Sequence, residues 1–242
     1  MSQLDPTVMF NEAHAARYDA QFARANVFRE AIHLVTDFAF AGLPENARIL
    51  VVGAGTGAEI IALAARHPGW HFTAVDPAAA MLDVFREKAA AAGILERCTV
   101  HVGYIESLPD TPVHDASTSL LVSHFLQTEG SRGAFFAEIA HRLKPGGLLV
   151  NADLAADLTD PASGPVFAAW DQMMTESGAT PEGLSCGIWA GLRCPSACSR
   201  RCTDGRQRVW PAVASPADPA HPHVAGGKAV TGLSKPNVPA GP

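Results

Sequence analysis

No apolar run in this chain reaches the roughly 18 residues of a membrane-spanning helix, so an integral membrane protein is not expected. The N-terminal stretch MSQLDPTVMFNEAHAARYD has no apolar centre flanked by basic residues, so it does not read as a secretory signal. Basic residues are outnumbered, 18 Lys and Arg against 24 Asp and Glu, and no basic stripe stands out, so no nucleic-acid partner is expected. Aromatic residues are also few, at 7%. What remains is a chain of 242 residues, 48% hydrophobic, long enough to bury a sizeable core. A soluble, cytoplasmic protein is the expectation.

The strongest local signal is ILVVGAGTGAEI, from Ile49 to Ile60. A β-branched apolar run flows into Gly53, Gly55 and Gly57 and then into a helix former. Glycine permits positive φ and lets a ligand reach the bare backbone, while a helix start offers unpaired N–H groups. The pattern nearly satisfies the dinucleotide fingerprint, with Ala58 as its third small residue. A second apolar run, HFTAVD, ends in Asp76, 23 positions after Gly53. An acid there suits the hydroxyls of a ribose; the plainer role is a helix N-cap.

Strands are expected at 48–52, 71–75, 98–102, 115–122 and 148–154, and helices at 57–66, 78–92 and 131–143. One or two amphipathic helices precede them. This alternation predicts a parallel sheet with helices on both faces.

The motifs VVGAGTG, AVDPAAAML, GYIESLP (103–109), DASTSLLVSHFL (115–126) and LKPGGLLV (143–150) occur in one order and at ordinary spacings. Together the chain resembles the class I S-adenosylmethionine (SAM)-dependent methyltransferases over about residues 45–155. The resemblance implies a three-layer, Rossmann-like α/β fold, SAM as cofactor and a small-molecule methyl acceptor. Implied cofactor contacts are Gly53, Ala54, Gly55 and Gly57 at the turn, then Asp76 and Pro77. Tyr104, Ile105 and Glu106 would lie beside the adenine, and Ser123 would border the pocket. Tyr104 stands where the family often has an Asp. An NAD(P)-dependent oxidoreductase and a SAM-binding protein without turnover are the alternatives; no Tyr-x-x-x-Lys pair supports the former.

His124, just past the fourth strand, is the candidate general base, although a packed structural histidine is the favoured reading. Tyr18 suits either a lid over the methionine end or packing of an amphipathic helix. Trp170 lies in a segment with Phe167, Met173 and Met174 at helical spacing, which suits ordinary packing better than a pocket wall. The organisation expected is a helical cap at 1–44, a SAM-binding core at 45–155, a substrate-lid helix within 156–185 and a non-family tail at 186–242. The oligomeric state is not legible.

That tail is a break in composition. It holds four of five cysteines and eight of eighteen prolines, with no Glu, Phe, Tyr or Met. Seven Lys and Arg against two Asp give it +5, whereas residues 1–185 carry eleven against twenty-two, or −11. Cys186, Cys194, Cys198 and Cys202 are separated by seven, three and three residues, poor spacing for zinc; no metal site is expected. A disordered extension is one reading. The other is a shifted reading frame: back-translation of Thr203–Thr231, moved by one base, can give a methyltransferase-like ending followed by a stop. On that reading the sheet lacks its last two antiparallel strands, leaving the strand at 148–154 as a bare edge.

Overall fold

β1 (Arg48–Val52) buries Ile49, Leu50, Val51 and Val52, as a strand covered on both faces requires. Its side chains alternate between two cores. Ile49 and Val51 join Phe40, Ile60, Leu63, Phe72, Leu82 and Phe85. Leu50 and Val52 join Val75, Ile105, Phe135 and Ile139 on the opposite face. This computed structural model describes residues 6–126, 128–153, 163–176 and 212–214.

The N-terminal region forms α1 (Pro6–Met9), α2 (Glu12–Gln21) and α3 (Asn26–Ala39). After β1 come α4 (Ala58–Arg66), β2 (His71–Asp76), α5 (Ala79–Ala91), β3 (Cys98–Val102), β4 (His114–Leu120), α6 (Glu129–His141), β5 (Leu143–Ala152), α7 (Ser163–Glu176) and β6 (Ala212–Ala214). The sheet order is β3-β2-β1-β4-β5-β6, with β1 to β5 parallel. The first core holds side chains of α4 and α5, the second those of α6, which makes three layers around one sheet. Among the described residues, no helix is long and apolar enough to cross a membrane.

Several boundaries differ from the expected ones for local reasons. β4 stops at Leu120 because Leu121 takes a positive φ of 61° and donates its N–H to Ala152 O at 2.6 Å. The chain then coils through a 3₁₀ turn, Ser123–Phe125. β5 starts early: Leu143 pairs with His114 before the register slips, and Lys144–Gly147 bulge out ahead of the Ala116–Leu148 pair. α6 begins at Glu129 because Thr128 and Ser131 form a reciprocal cap.

The expectation that no antiparallel strand follows β5 needs correction. Ala212–Ala214 pairs antiparallel with Asn151–Leu149. An open strand edge offers backbone N–H and C=O groups to any extended segment, so three residues within an atypical composition suffice. A second such strand is not seen among the described residues. The cysteines at 186–202 lie outside the described residues.

Beneath the sheet's end, Glu59 of α4 is buried and accepts a hydrogen bond from Thr118 Oγ1 of β4. Burial pushes its carboxyl up to about 7, against the pull of the Thr118 bond. An unfolded Glu59 releases its proton near 4.5, so the unfolded state is favoured progressively between there and about 7. Stability is therefore full below about pH 4.5 as far as this group is concerned, falls as pH rises to about 7, and is level above. Glu59→Gln keeps an acceptor for Thr118 and removes the titration. It should be more stable than the natural protein by about 3 kcal/mol at about pH 8, read from urea unfolding across the window. Equal stability of the two proteins at both ends of the window would contradict this account.

Candidate functional site

Strand order reverses between β1 and β4, and ligands of open parallel sheets bind at the carboxyl ends of the strands beside such a reversal. There β1 enters the turn Gly53–Gly57. Gly53 and Gly57 hold φ of 74° and 73°, and both lack space for a side chain. A Cβ at Gly53 would lie 2.2 Å from Val122 Cγ2, and one at Gly57 2.0 Å from Phe85 Cδ2. Gly55 differs. Its φ is 52°, but a Cβ there would meet only Met81 Cε, at 3.5 Å. Gly55 is thus where a ligand can reach the backbone of the turn.

Asp76 ties that turn to the end of β2. Its Oδ2 accepts the Gly55 N–H and its Oδ1 the Ala78 N–H, each at 2.9 Å. Gly53 and Ala54 donate to Val75 O, and Gly103 donates to the Asp76 carbonyl at 3.0 Å. Burial pushes the Asp76 carboxyl above its ordinary value, against both N–H donors. A carboxylate accepts about four hydrogen bonds, so Asp76 caps the following turn and keeps acceptor capacity. Pro77 follows it directly. Tyr104 and Glu106 are exposed beside Gly103, while Ile105 is buried in the second core.

At the end of β4, Val122 closes on Gly53 and the chain turns through Ser123 and His124, both buried. Their partner is Asp153, immediately after β5. Ser123 Oγ donates to Asp153 Oδ2, Asn151 Nδ2 donates to the same oxygen at 3.0 Å, and His124 Nδ1 lies 3.2 Å from Oδ1. Burial raises the Asp153 carboxyl, but the His124, Ser123 and Asn151 donors outweigh it and hold the group below its usual range. A carboxylate facing Nδ1 selects the tautomer protonated there and leaves Nε2 as the basic nitrogen.

The N-terminal helices roof these elements. Phe10, His14, Tyr18 and Phe22 form an aromatic ladder, with neighbouring centroids 4.8–5.8 Å apart, and Phe10 meets Phe125 at 6.1 Å. Ala15 and Tyr18 pack on Ala78 and Met81 at the start of α5. The segment from Phe10 to Tyr18 therefore touches both the turn after β4 and the turn after β2. Enclosure pushes the Tyr18 phenol up to about 12, with the Asp19 and Asp76 charges adding to the effect and Arg29 opposing it. Beside the roof, a groove of about 620 Å³ opens between Phe10–Ala13 and Pro77–Ala80. A second depression lies at the opposite end of the sheet, near Arg48 and Asp115, away from the reversal.

The structure thus brings Tyr18, Gly53, Ala54, Gly55, Gly57, Asp76 and Pro77 to one place, with Ser123 and His124 alongside. Trp170 sits half-buried on α7 with its indole N–H unpartnered among the described residues. Sequence reasoning missed Asp153, Asp19 and the Val122 contact. Asp153 had one available signal: like Asp76, it is an acid at the carboxyl end of an apolar core strand.

Residues 49–147 match the family model described as "Methyltransferase domain". No curated protein matches the sequence. Among solved structures, one neighbour is a Methanococcus maripaludis protein assigned as an S-adenosyl-L-methionine-dependent methyltransferase. It is 19% identical, with a TM-score of 0.52 over 73% of this chain and 75% of its own, a likeness of fold. Another is SAM-bound CalS10, an amino pentose methyltransferase from Micromonospora echinaspora. It is 32% identical, with a TM-score of 0.43 over 52% of this chain and 50% of its own. The chain thus spans three quarters of the first neighbour and half of the second.

The glycines of the turn separate by a stability measurement. Gly57→Ala forces a methyl group into the Phe85 ring at positive φ and should cost about 2–4 kcal/mol. Gly55→Ala meets only the backbone term, about 1 kcal/mol. Equal losses in denaturant unfolding would show that packing does not distinguish the two positions.

Proposed function

We propose that the chain is a class I SAM-dependent methyltransferase, with S-adenosyl-L-methionine as its cofactor, and that it methylates a small organic nucleophile; the methyltransferase-domain match over residues 49–147 supports the reading. The observation that carries the reading is the Gly55–Asp76 pair at the strand reversal: open backbone next to a carboxylate with spare acceptor capacity. These features fit the group. Gly53 to Gly57 would take the amino-acid part, Asp76 and Pro77 the ribose, and Tyr104, Ile105 and Glu106 the adenine, with Ser123 at the pocket's border. SAM supplies a methyl group activated by its sulfonium charge.

The protein's own tasks are then to orient the acceptor, exclude water and take a proton where the acceptor carries one. The Phe10–His14–Tyr18 roof excludes water. His124 is the proposed base. Asp153 fixes its ring and stabilises the positive charge it acquires, so the proton moves from acceptor to Nε2. A small acceptor accords with a net charge of −6 and the absence of a basic stripe. We read the break after residue 185 as a shift of reading frame; codon usage there matching the rest of the gene would count against it.

Titration calorimetry with SAM and with NAD tests the cofactor, and S-adenosylhomocysteine release across small hydroxyl and amine compounds tests the activity. Asp76→Ala should weaken SAM binding by about 1.5–3 kcal/mol through lost charge-assisted hydrogen bonds. Because the Asp76 carboxyl is raised, affinity should fall as acidification protonates it, and this fall should vanish in Asp76→Asn. Affinity unchanged in both variants would remove Asp76 from the site. Once an acceptor is found, His124→Gln should lower turnover about 10²–10⁴-fold with SAM affinity preserved. A parallel loss of SAM affinity would instead make His124 a structural residue.

A further inference from the structure

Asp19 stands beside Tyr18 on α2, yet its carboxylate points away from the aromatic ladder to three donors on three other elements. Oδ1 accepts Thr56 Oγ1–H at 3.0 Å, inside the glycine turn. Oδ2 accepts Lys88 Nζ at 2.9 Å, on α5. Arg29 of α3 completes the cluster at 3.3 Å from Oδ1, and Lys88 Nζ also reaches Thr56 Oγ1 at 3.3 Å. Burial raises the Asp19 carboxyl, but these partners prevail and hold it below its ordinary value, so it is charged at neutral pH. The cluster is thus a polar joint between the roof and the turn.

The rest of the roof is held differently. Phe10, His14, Tyr18 and Phe22 touch one another edgewise or tilted, and Ala15 rests on Ala78 and Met81. Such contacts are less directional than charged hydrogen bonds and tolerate small shifts. The Asp19 bonds are directional, and they fix which turn of α2 lies over Gly55 and Asp76. Thr56, the Asp19 partner, adjoins Gly55, so a ligand at that glycine would sit beside the seat of α2, and loosening the seat would widen its way in and out.

We infer that Asp19 is a positioning residue, an electrostatic latch that seats the Tyr18-bearing helix on the glycine turn and sets how long the cofactor is held. This rests on the cofactor reading above. Thr56 gives the latch its sensitivity to the site: one residue separates it from neither Gly55 nor Gly57, so the same short turn that meets the ligand carries the latch.

Release of radiolabelled SAM from the full chain, chased with unlabelled SAM, tests the inference. Asp19→Ala should speed release about tenfold, the effect of losing a charged hydrogen-bonded cluster of this exposure, and Asp19→Asn should fall between. The natural protein's release should quicken as salt screens the part-exposed charges, and Asp19→Ala should lose that salt dependence. Lys88→Met, which leaves α2 intact, should act in the same direction, covering the case in which Asp19→Ala folds poorly. Asp37→Ala removes the distant Arg66 and His67 contacts between α3 and α4 and serves as a measure of general destabilisation; it should leave release unchanged. Release from Asp19→Ala and Lys88→Met at the natural rate, or an equal acceleration by Asp37→Ala, overturns the latch alone. Absence of SAM binding by the natural protein overturns both the cofactor reading and the latch.

Discussion

The close approach at the two ends of the glycine turn governs the rest of the site. With no Cβ at Gly53, Val122 can lie against the turn, which brings the end of β4 beside the end of β1. With no Cβ at Gly57, Phe85 can lie against the start of α4, which brings α5 close. Asp76 then reaches the Gly55 N–H, and Ser123 and His124 arrive next to the turn as a consequence of Val122's position. Widening either contact by a methyl group would move the elements that carry the chemistry. The glycines at 53 and 57 thus act first through packing, whereas Gly55 has open space where a side chain would stand.

Two carboxylates occupy equivalent places, each at the carboxyl end of a core strand, and their surroundings drive them apart. Asp76 meets backbone N–H groups alone, and burial prevails, so its proton is held more tightly than usual. Asp153 meets Ser123, His124 and Asn151 side chains, and these donors prevail over a similar burial. The division suits the proposed roles. An acid that holds neutral ribose hydroxyls can tolerate a raised pKa, whereas one that supports a histidine taking up charge has to stay ionised.

Much of the fold was legible in the sequence, because β1 and β2 are apolar runs and β3 pairs in register at Cys98–Val102, where it was expected. β4 was harder. Ser117, Thr118 and Ser119 are fully buried in a strand that reads as polar, and its end depends on Leu121 adopting positive φ, which leucine does not announce. The glycine turn and Asp76 were legible because their chemistry is local to a few residues. The His124–Asp153 pairing was not, since its partners are 29 residues apart and meet only through the β4–β5 register. Asp19 was hidden for the same reason, with Thr56 and Lys88 standing 37 and 69 residues away. β6 was hidden by its surroundings, a three-residue segment among prolines.

That last strand bears on the site more than its size suggests. β6 pairs with β5 at Leu149–Asn151, and Asn151 donates to the Asp153 carboxylate two residues further on. The backbone that sets Asn151, and through it Asp153, is therefore steadied on one side by β4 and on the other by three residues of an atypical sequence. The β4 side is extensive, running in register from Ala116 to Leu120; the β6 side is short. The glycine turn and Asp76 sit across β1 and β2, on the far side of β4 from this edge. Disturbance at the β5 edge reaches the His124–Asp153 pair before it reaches the turn. The proposed cofactor site and the proposed His124–Asp153 proton acceptor thus draw on different parts of one sheet: the first on its centre, buried on both faces, and the second on β4 and β5, whose outer neighbour is three residues long.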